Sequence, residues 1–263
     1  MTASISFEQV SFSYTPAQPI LRDVSLTLRQ GEFVGVVGAN GSGKTTLARL
    51  LHSSLAPTAG AILDSDPAPK EKRARVALVS SDPASQLIAT TVFDEVAFSL
   101  RAARLPAPEV MARTQEALLL FGLLPYSNQH PGLLSIGEQL RVLIASSVAR
   151  QPAYLLLDEV ASMLDTHQWR LMMHVLLTTR ASANIGILLI THRLEDLYEA
   201  DRVLVLSEGA IVMEGSPEAV FARAADEPGW HIEAPLLDQV RRQITLPHLR
   251  QLLNDPAPLN TPV

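Results

Sequence analysis

The chain has 263 residues, 47% of them hydrophobic and 18% charged, with a net charge of −6. That length suits one large α/β domain, or a domain with an appendage, and the acidic balance argues against nucleic acid as the main partner. Cysteine is absent, which excludes disulfides, thiol chemistry and cysteine-based zinc sites.

The stretch from Met1 to Ile5 lacks the basic and apolar regions of a secretory leader, and no run of about 18 apolar residues exists to span a membrane. The low charge fits either apolar surface kept for partners or simple Ala/Leu richness. Ile5/Phe7 alternate, as do Val10/Phe12/Tyr14 after a slip that suits a bulge or a turn, and then Val24/Leu26/Leu28. These segments are expected to be antiparallel strands exposed on one face. Two readings fit Tyr14, a ring stacked on a purine or a cross-strand packing residue. Phe33 to Val37 is apolar without alternation, the pattern of a strand covered on both faces, and Thr46 to Leu51 reads as a helix. Ala61 to Leu63 and Val76 to Val79 read as further short strands around a polar loop from Asp64 to Arg75. From about residue 86 to 150 the apolar period becomes three and four, which predicts three helices inserted in an α/β domain. Strands are then expected at Tyr154 to Leu157, Ile185 to Ile190 and Val203 to Leu206, with a helix from Trp169 to Leu177. Ser207-Glu208-Gly209 predicts a hairpin to Ile211-Val212-Met213, and Ser216-Pro217-Glu218 a helix start. Past about residue 225 the chain becomes short amphipathic pieces broken by proline.

The chemistry concentrates at Gly38-Ala39-Asn40-Gly41-Ser42-Gly43-Lys44-Thr45, which fits the phosphate-binding pattern G-x-x-x-x-G-K-[ST] between a buried strand and a helix. Gly38, Gly41 and Gly43 permit backbone angles that aim successive N–H groups inward, and the helix adds its positive end. Lys44 supplies a mobile charge for the outer phosphates, and the Thr45 hydroxyl suits Mg²⁺. The strand Leu155 to Leu157 ends in Asp158-Glu159, two carboxylates at the edge where parallel sheets bind ligands. Alone, such a pair is more often a helix cap than a catalyst. Beside a phosphate loop, Asp158 is suited to hold hydrated Mg²⁺ and Glu159 to polarise the water that attacks the γ-phosphate.

With these motifs in order, the sequence from about residue 3 to 221 resembles the ATP-binding cassette superfamily. Leu134-Ser135-Ile136-Gly137-Glu138 stands where that family has LSGGQ, Ser162-Met163-Leu164-Asp165 matches the D-loop, and His192 matches the switch histidine. Asp82 to Leu87, followed by Thr91 to Phe98, is similar to the ATPase subunits of energy-coupling factor importers, as is the tail from Ile232 to Leu253. The resemblance implies a P-loop cassette: a RecA-like parallel-sheet core, an N-terminal antiparallel β subdomain and an inserted helical subdomain at about 86–150, all within 1–225. Residues 226–263 are then a C-terminal extension and candidate dimer contact. It also implies ATP and Mg²⁺ as cofactors, with Tyr14, Gly38, Asn40, Gly41, Ser42, Gly43, Lys44, Thr45 and Thr46 around the nucleotide. Thr45 and Asp158 would serve the metal, and Lys44, Glu159 and His192 catalysis. Ser135, Gly137 and Asp165 would serve the nucleotide across a head-to-tail dimer. The partners implied are a second cassette and an integral membrane subunit, at the cytoplasmic face of the membrane.

The pattern also breaks. Ser81 stands where the family has its Q-loop glutamine and is too short to reach both metal and water; Gln86 survives, at a spacing that does not make it the same residue. Ile136 replaces a glycine, Glu138 a glutamine, Val160-Ala161 the usual Pro-Thr, and Met163 a small residue. These departures favour a heterodimer with a complementary cassette over a homodimer. The expected function is ATP hydrolysis that powers solute uptake. The alternatives are a weakly hydrolysing regulatory or structural cassette and the ATPase of a conventional transporter.

Overall fold

The computed structural model describes residues 3–66, 75–224, 226–230 and 232. Most of the expected polar loop after Asp64 and almost all of the C-terminal extension therefore lie outside the described residues. Two sheets organise the rest. The smaller is antiparallel, in the order β2-β1-β4, from β1 (Ser4–Thr15), β2 (Gln18–Arg29) and β4 (Ala59–Asp64). The expected slip in the first strand is a bulge: the register shifts between Phe7 and Val10, and Gln9 has φ 50°.

The larger sheet has the order β5-β6-β7-β3-β8-β9, with β3 (Phe33–Val37), β5 (Val76–Val79), β6 (Tyr154–Asp158), β7 (Gly186–Ile190), β8 (Arg202–Ser207) and β9 (Ala210–Gly215). All are parallel except β9, which returns antiparallel from β8 through the expected hairpin. The unbroken apolar runs have a direct cause. In β3, Phe33 and Val37 enter one core while Val34 and Val36 enter another. In β6, Leu155 and Leu157 join the first core, and Tyr154 and Leu156 the second. One core lies under the helices and the other under the antiparallel sheet and α1 (Lys44–Leu51), so both faces demand apolar side chains.

The inserted helices are α2 (Val92–Ala102), α3 (Ala107–Leu120) and α4 (Ile136–Ala149), followed by α5 (Thr166–Ala183) and α6 (Pro217–Ala224). Their starts are chemically marked. Thr91 accepts from Asp94 N–H at 3.0 Å, Asp165 accepts from Gln168 N–H at 2.8 Å, and Ser216 from Ala219 N–H at 3.4 Å. Asn184, with φ 52°, closes α5 in the left-handed conformation. Because β3, β7, β6 and β5 are parallel neighbours, their carboxyl ends fall along one edge, and the loops that carry the motifs meet there.

Candidate active site

The phosphate loop leaves the end of β3 with its backbone turned inward. Gly38 has φ 150°, and a Cβ there would lie 2.0 Å from the Leu206 carbonyl oxygen, so no other residue fits. Gly43, with φ 106°, is the N-cap of α1, and no side chain bonds to that helix end. The first-turn N–H groups of α1 therefore point into open space, the condition for anion binding. Lys44 is buried and donates from Nζ to the carbonyls of Gly38 at 2.8 Å and Ala39 at 3.0 Å. Its ammonium sits inside the loop's curl. Ser42 is buried with no partner for its hydroxyl, and Thr46 is buried as well.

The loop opens into a cleft of about 310 Å³ lined by Tyr14, Ile20, Asn40, Gly41, Lys44, Thr45 and Glu159 among others. Tyr14 is 55% exposed, packs edge-on against Phe12 at 4.9 Å between centroids, and accepts a long bond of 3.5 Å from Arg49 Nη1. Packing against Phe12, two residues back on the same strand, fixes one edge of the ring, and Tyr14 lines the cleft. Ile20 is an apolar wall that the sequence reading missed; it stands early in β2, outside the alternating run that marked that strand.

Across the loop stand the two carboxylates. Asp158 ends β6 and is 3% exposed; its Oδ1 has no partner. Burial raises its carboxyl above the ordinary value of 3.8, while a bond from the Thr45 hydroxyl and the nearby Lys44 charge oppose that rise. A buried, unpaired carboxylate oxygen beside a hydroxyl is a donor set for a hard divalent cation such as Mg²⁺, which takes few protein ligands and completes its shell with phosphate and water. No cluster of three or more His, Asp or Glu side chains that could hold a metal occurs among the described residues.

Glu159 adopts φ 57°, ψ 24°, a left-handed conformation that costs an L-residue roughly 1–2 kcal/mol. The surroundings hold it there. Its N–H donates to the Ile190 carbonyl at 3.0 Å, and its own carbonyl accepts from Ser162 Oγ at 2.7 Å. Strain maintained by such bonds is a feature of functional positions. The result aims the side chain back over the loop, with Oε1 3.7 Å from Lys44 Nζ and Oε2 2.9 Å from His192 Nδ1, whose N–H donates to it. His192 follows β7, one strand from β6, so sheet order alone brings the pair together.

Ser135, Gly137 and Asp165 do not line this cleft. Ser135 is the N-cap of α4 and Asp165 that of α5. Gly137 lies between them; a Cβ there would approach Leu164 Cδ2 to 2.7 Å and Gln168 Oε1 to 3.0 Å. Glu138 does not line the cleft and is half-buried. It closes a capping box, its Oε2 accepting from Ser135 N–H at 2.9 Å and from Ser135 Oγ–H at 2.7 Å.

A phosphate loop and an Asp-Glu pair, the aspartate buried and the glutamate half-buried, at the carboxyl edge of a parallel sheet, with a histidine on the glutamate, define a nucleotide-hydrolysing cassette. The chain belongs to the ABC transporter family, whose pattern matches residues 21–162. It is 35% identical over 229 residues to the energy-coupling factor transporter ATP-binding protein EcfA1 of Enterococcus faecalis, covering 84% of this chain and 82% of that one. It is 37% identical over 223 residues to EcfA1 of Geobacillus kaustophilus, covering 82% and 80%. Among solved structures, cbiO1 of Clostridium perfringens, part of the ABC transporter complex cbiONQ, superposes with a TM-score of 0.78 at 26% identity, over 97% of this chain and 100% of that one. A bacterial Atm1-family ABC exporter with ATP bound gives 0.72 at 27% identity, over 94% of this chain and 43% of that one. No helix among the described residues is long and apolar enough to cross a membrane.

Proposed function

We propose that this chain is the ATP-binding and ATP-hydrolysing subunit that powers solute uptake through a membrane transporter of the energy-coupling factor type. The observation that carries this reading is the strained Glu159, suspended between Lys44 and His192 above an open phosphate loop. In this reading the loop N–H groups and Lys44 hold the β- and γ-phosphates, and Tyr14 stacks on adenine. Thr45 and Asp158 hold Mg²⁺, which when bound neutralises charge on the phosphates. Glu159 orients and polarises a water whose oxygen bonds the γ-phosphorus as the bond to the β-phosphate oxygen breaks and ADP departs. His192 keeps the Glu159 carboxylate aimed.

Ser135, Gly137 and Asp165 serve the nucleotide of a second cassette, a reading supported by their absence from the lining of this chain's own cleft. Ser81 and the altered signature favour a heterodimer, in which a complementary cassette supplies the regular elements. The pair works at the cytoplasmic face of the membrane, where closing and reopening drive an integral membrane subunit seated against the inserted helices.

The test is gentle extraction of tagged chain from native membranes, followed by identification of what co-purifies. The expected result is a second, non-identical cassette with an integral membrane scaffold. Recovery with neither overturns the transport reading, and recovery with the scaffold and only copies of itself overturns the heterodimer.

A further inference from the structure

The serine at position 81 leaves a gap in the site that the fold fills from elsewhere. Strand β5 pairs with β6 up to Val79 and Leu157, so the next residues, Ser80 and Asp158, stand side by side at the carboxyl edge. Ser81 follows and is exposed. Beyond it the chain makes a helical turn, in which Ser85 Oγ donates to the Asp82 carbonyl at 3.0 Å, and the N–H groups of Gln86 and Leu87 to the Pro83 carbonyl at 3.0 and 3.2 Å. The turn folds the half-buried Gln86 back on the strand end, where its Nε2 donates to Ser80 Oγ. The far side of the loop is pinned too, since the N–H groups of Ile88 and Ala89 donate to the buried Glu95 carboxylate at 2.8 and 2.7 Å.

We propose that Gln86, held by Ser80, is the residue that takes the place of the missing position-81 glutamine, its amide oxygen completing the shell of Mg²⁺ and attacking water beside Asp158. Three observations converge on this. Ser81 is too short, and it is exposed just past the strand end. Asp158 stands beside Ser80 by strand register, and its Oδ1 is buried with no hydrogen-bond partner in the protein. The bond to Ser80 uses an amide proton of Gln86, which fixes the amide plane and leaves the carbonyl oxygen as the acceptor, the atom type a hard cation takes. Ser80 is the positioning residue; without its hydroxyl the amide loses its orientation. Gln86 thus reaches through the turn of the loop a place that its spacing along the chain denies it.

This inference rests on the Mg-ATP reading above, and its test separates the two. Full-length chain carrying a non-hydrolysable ATP analogue is titrated with Mn²⁺ and followed by electron paramagnetic resonance, while nucleotide affinity is measured separately in EDTA. Gln86→Ala is expected to weaken Mn²⁺ binding by about tenfold, the scale of a lost supporting ligand, with metal-free nucleotide binding unchanged. Ser80→Ala should give a smaller loss in the same direction. Adding Ser81→Gln to Gln86→Ala should restore Mn²⁺ affinity, which a purely structural role for Gln86 would not allow. Wild-type Mn²⁺ affinity in Gln86→Ala overturns the proposal, as does a loss that Ser81→Gln does not repair. Failure of the unmutated chain to bind the nucleotide in EDTA would instead overturn the functional reading beneath it.

Discussion

Two helix ends in this molecule resemble anion sites, and only one is open. The N-terminus of α1 is capped by Gly43, with no side-chain bond and no acidic residue in its first turn. The N-terminus of α4 is already occupied: Ser135 and Glu138 satisfy one another, and the Tyr126 hydroxyl also bonds the Glu138 carboxylate. A helix end attracts phosphate only while its own donors are unsatisfied. The first end is therefore open to an anion, whereas the second stabilises its own fold; on the function proposed above, it would have to exchange its internal carboxylate for a phosphate when a partner cassette closes on it.

The largest effect that would break this contrast is at the open end. Lys44→Ala should weaken Mg-ATP binding by about 100-fold, the scale of losing charge-assisted bonds to phosphate; an equilibrium nucleotide titration showing near wild-type affinity would contradict it. At the occupied end, Glu138→Gln removes a negative charge while keeping a side chain able to close the box. ATP-driven association of cassettes should strengthen by up to about fivefold, read by analytical ultracentrifugation, and weaker association would remove the contrast.

The smallest effect concerns stability. Burial raises the Asp158 carboxyl above 3.8, so its cost to the fold is absent at pH below that ordinary value, grows as pH rises from it toward the raised one, and is fully present above that. Asp158→Asn should then raise the melting temperature of the nucleotide-free protein at neutral pH, by about 2–4 °C for each kcal/mol relieved, while weakening metal binding. The increase should shrink as pH falls toward the ordinary value. A melting temperature lowered at neutral pH would contradict the assignment.

The phosphate loop was legible in the sequence because its chemistry is local: eight consecutive residues carry the glycines, the lysine and the hydroxyl, and the helix follows at once. The parallel strands were legible because two cores press on both faces, which forbids polar residues along Phe33 to Val37 and Leu155 to Leu157. What escaped depends on turns and long-range pairing. The left-handed backbone of Glu159 leaves no mark in composition. The strand Ala59–Asp64 joins the antiparallel sheet through β1, a pairing that no local pattern encodes. The return of Gln86 to Ser80 depends on the Asp82-to-Gln86 turn. For Glu138 the signal was present: Ser-x-x-Glu ahead of an apolar run is the capping-box spacing, and it accounts for a carboxylate where the resemblance led to a glutamine.

The central claim is that Glu159, held between Lys44 and His192, polarises the attacking water. The direct test is to load Glu159→Gln with radiolabelled Mg-ATP, alone and with its co-purifying partners, and measure both bound nucleotide and product. The account predicts ATP retained uncleaved near wild-type occupancy, with hydrolysis slowed by about 100-fold or more. Hydrolysis at the wild-type rate would contradict it and remove Glu159 from the chemistry.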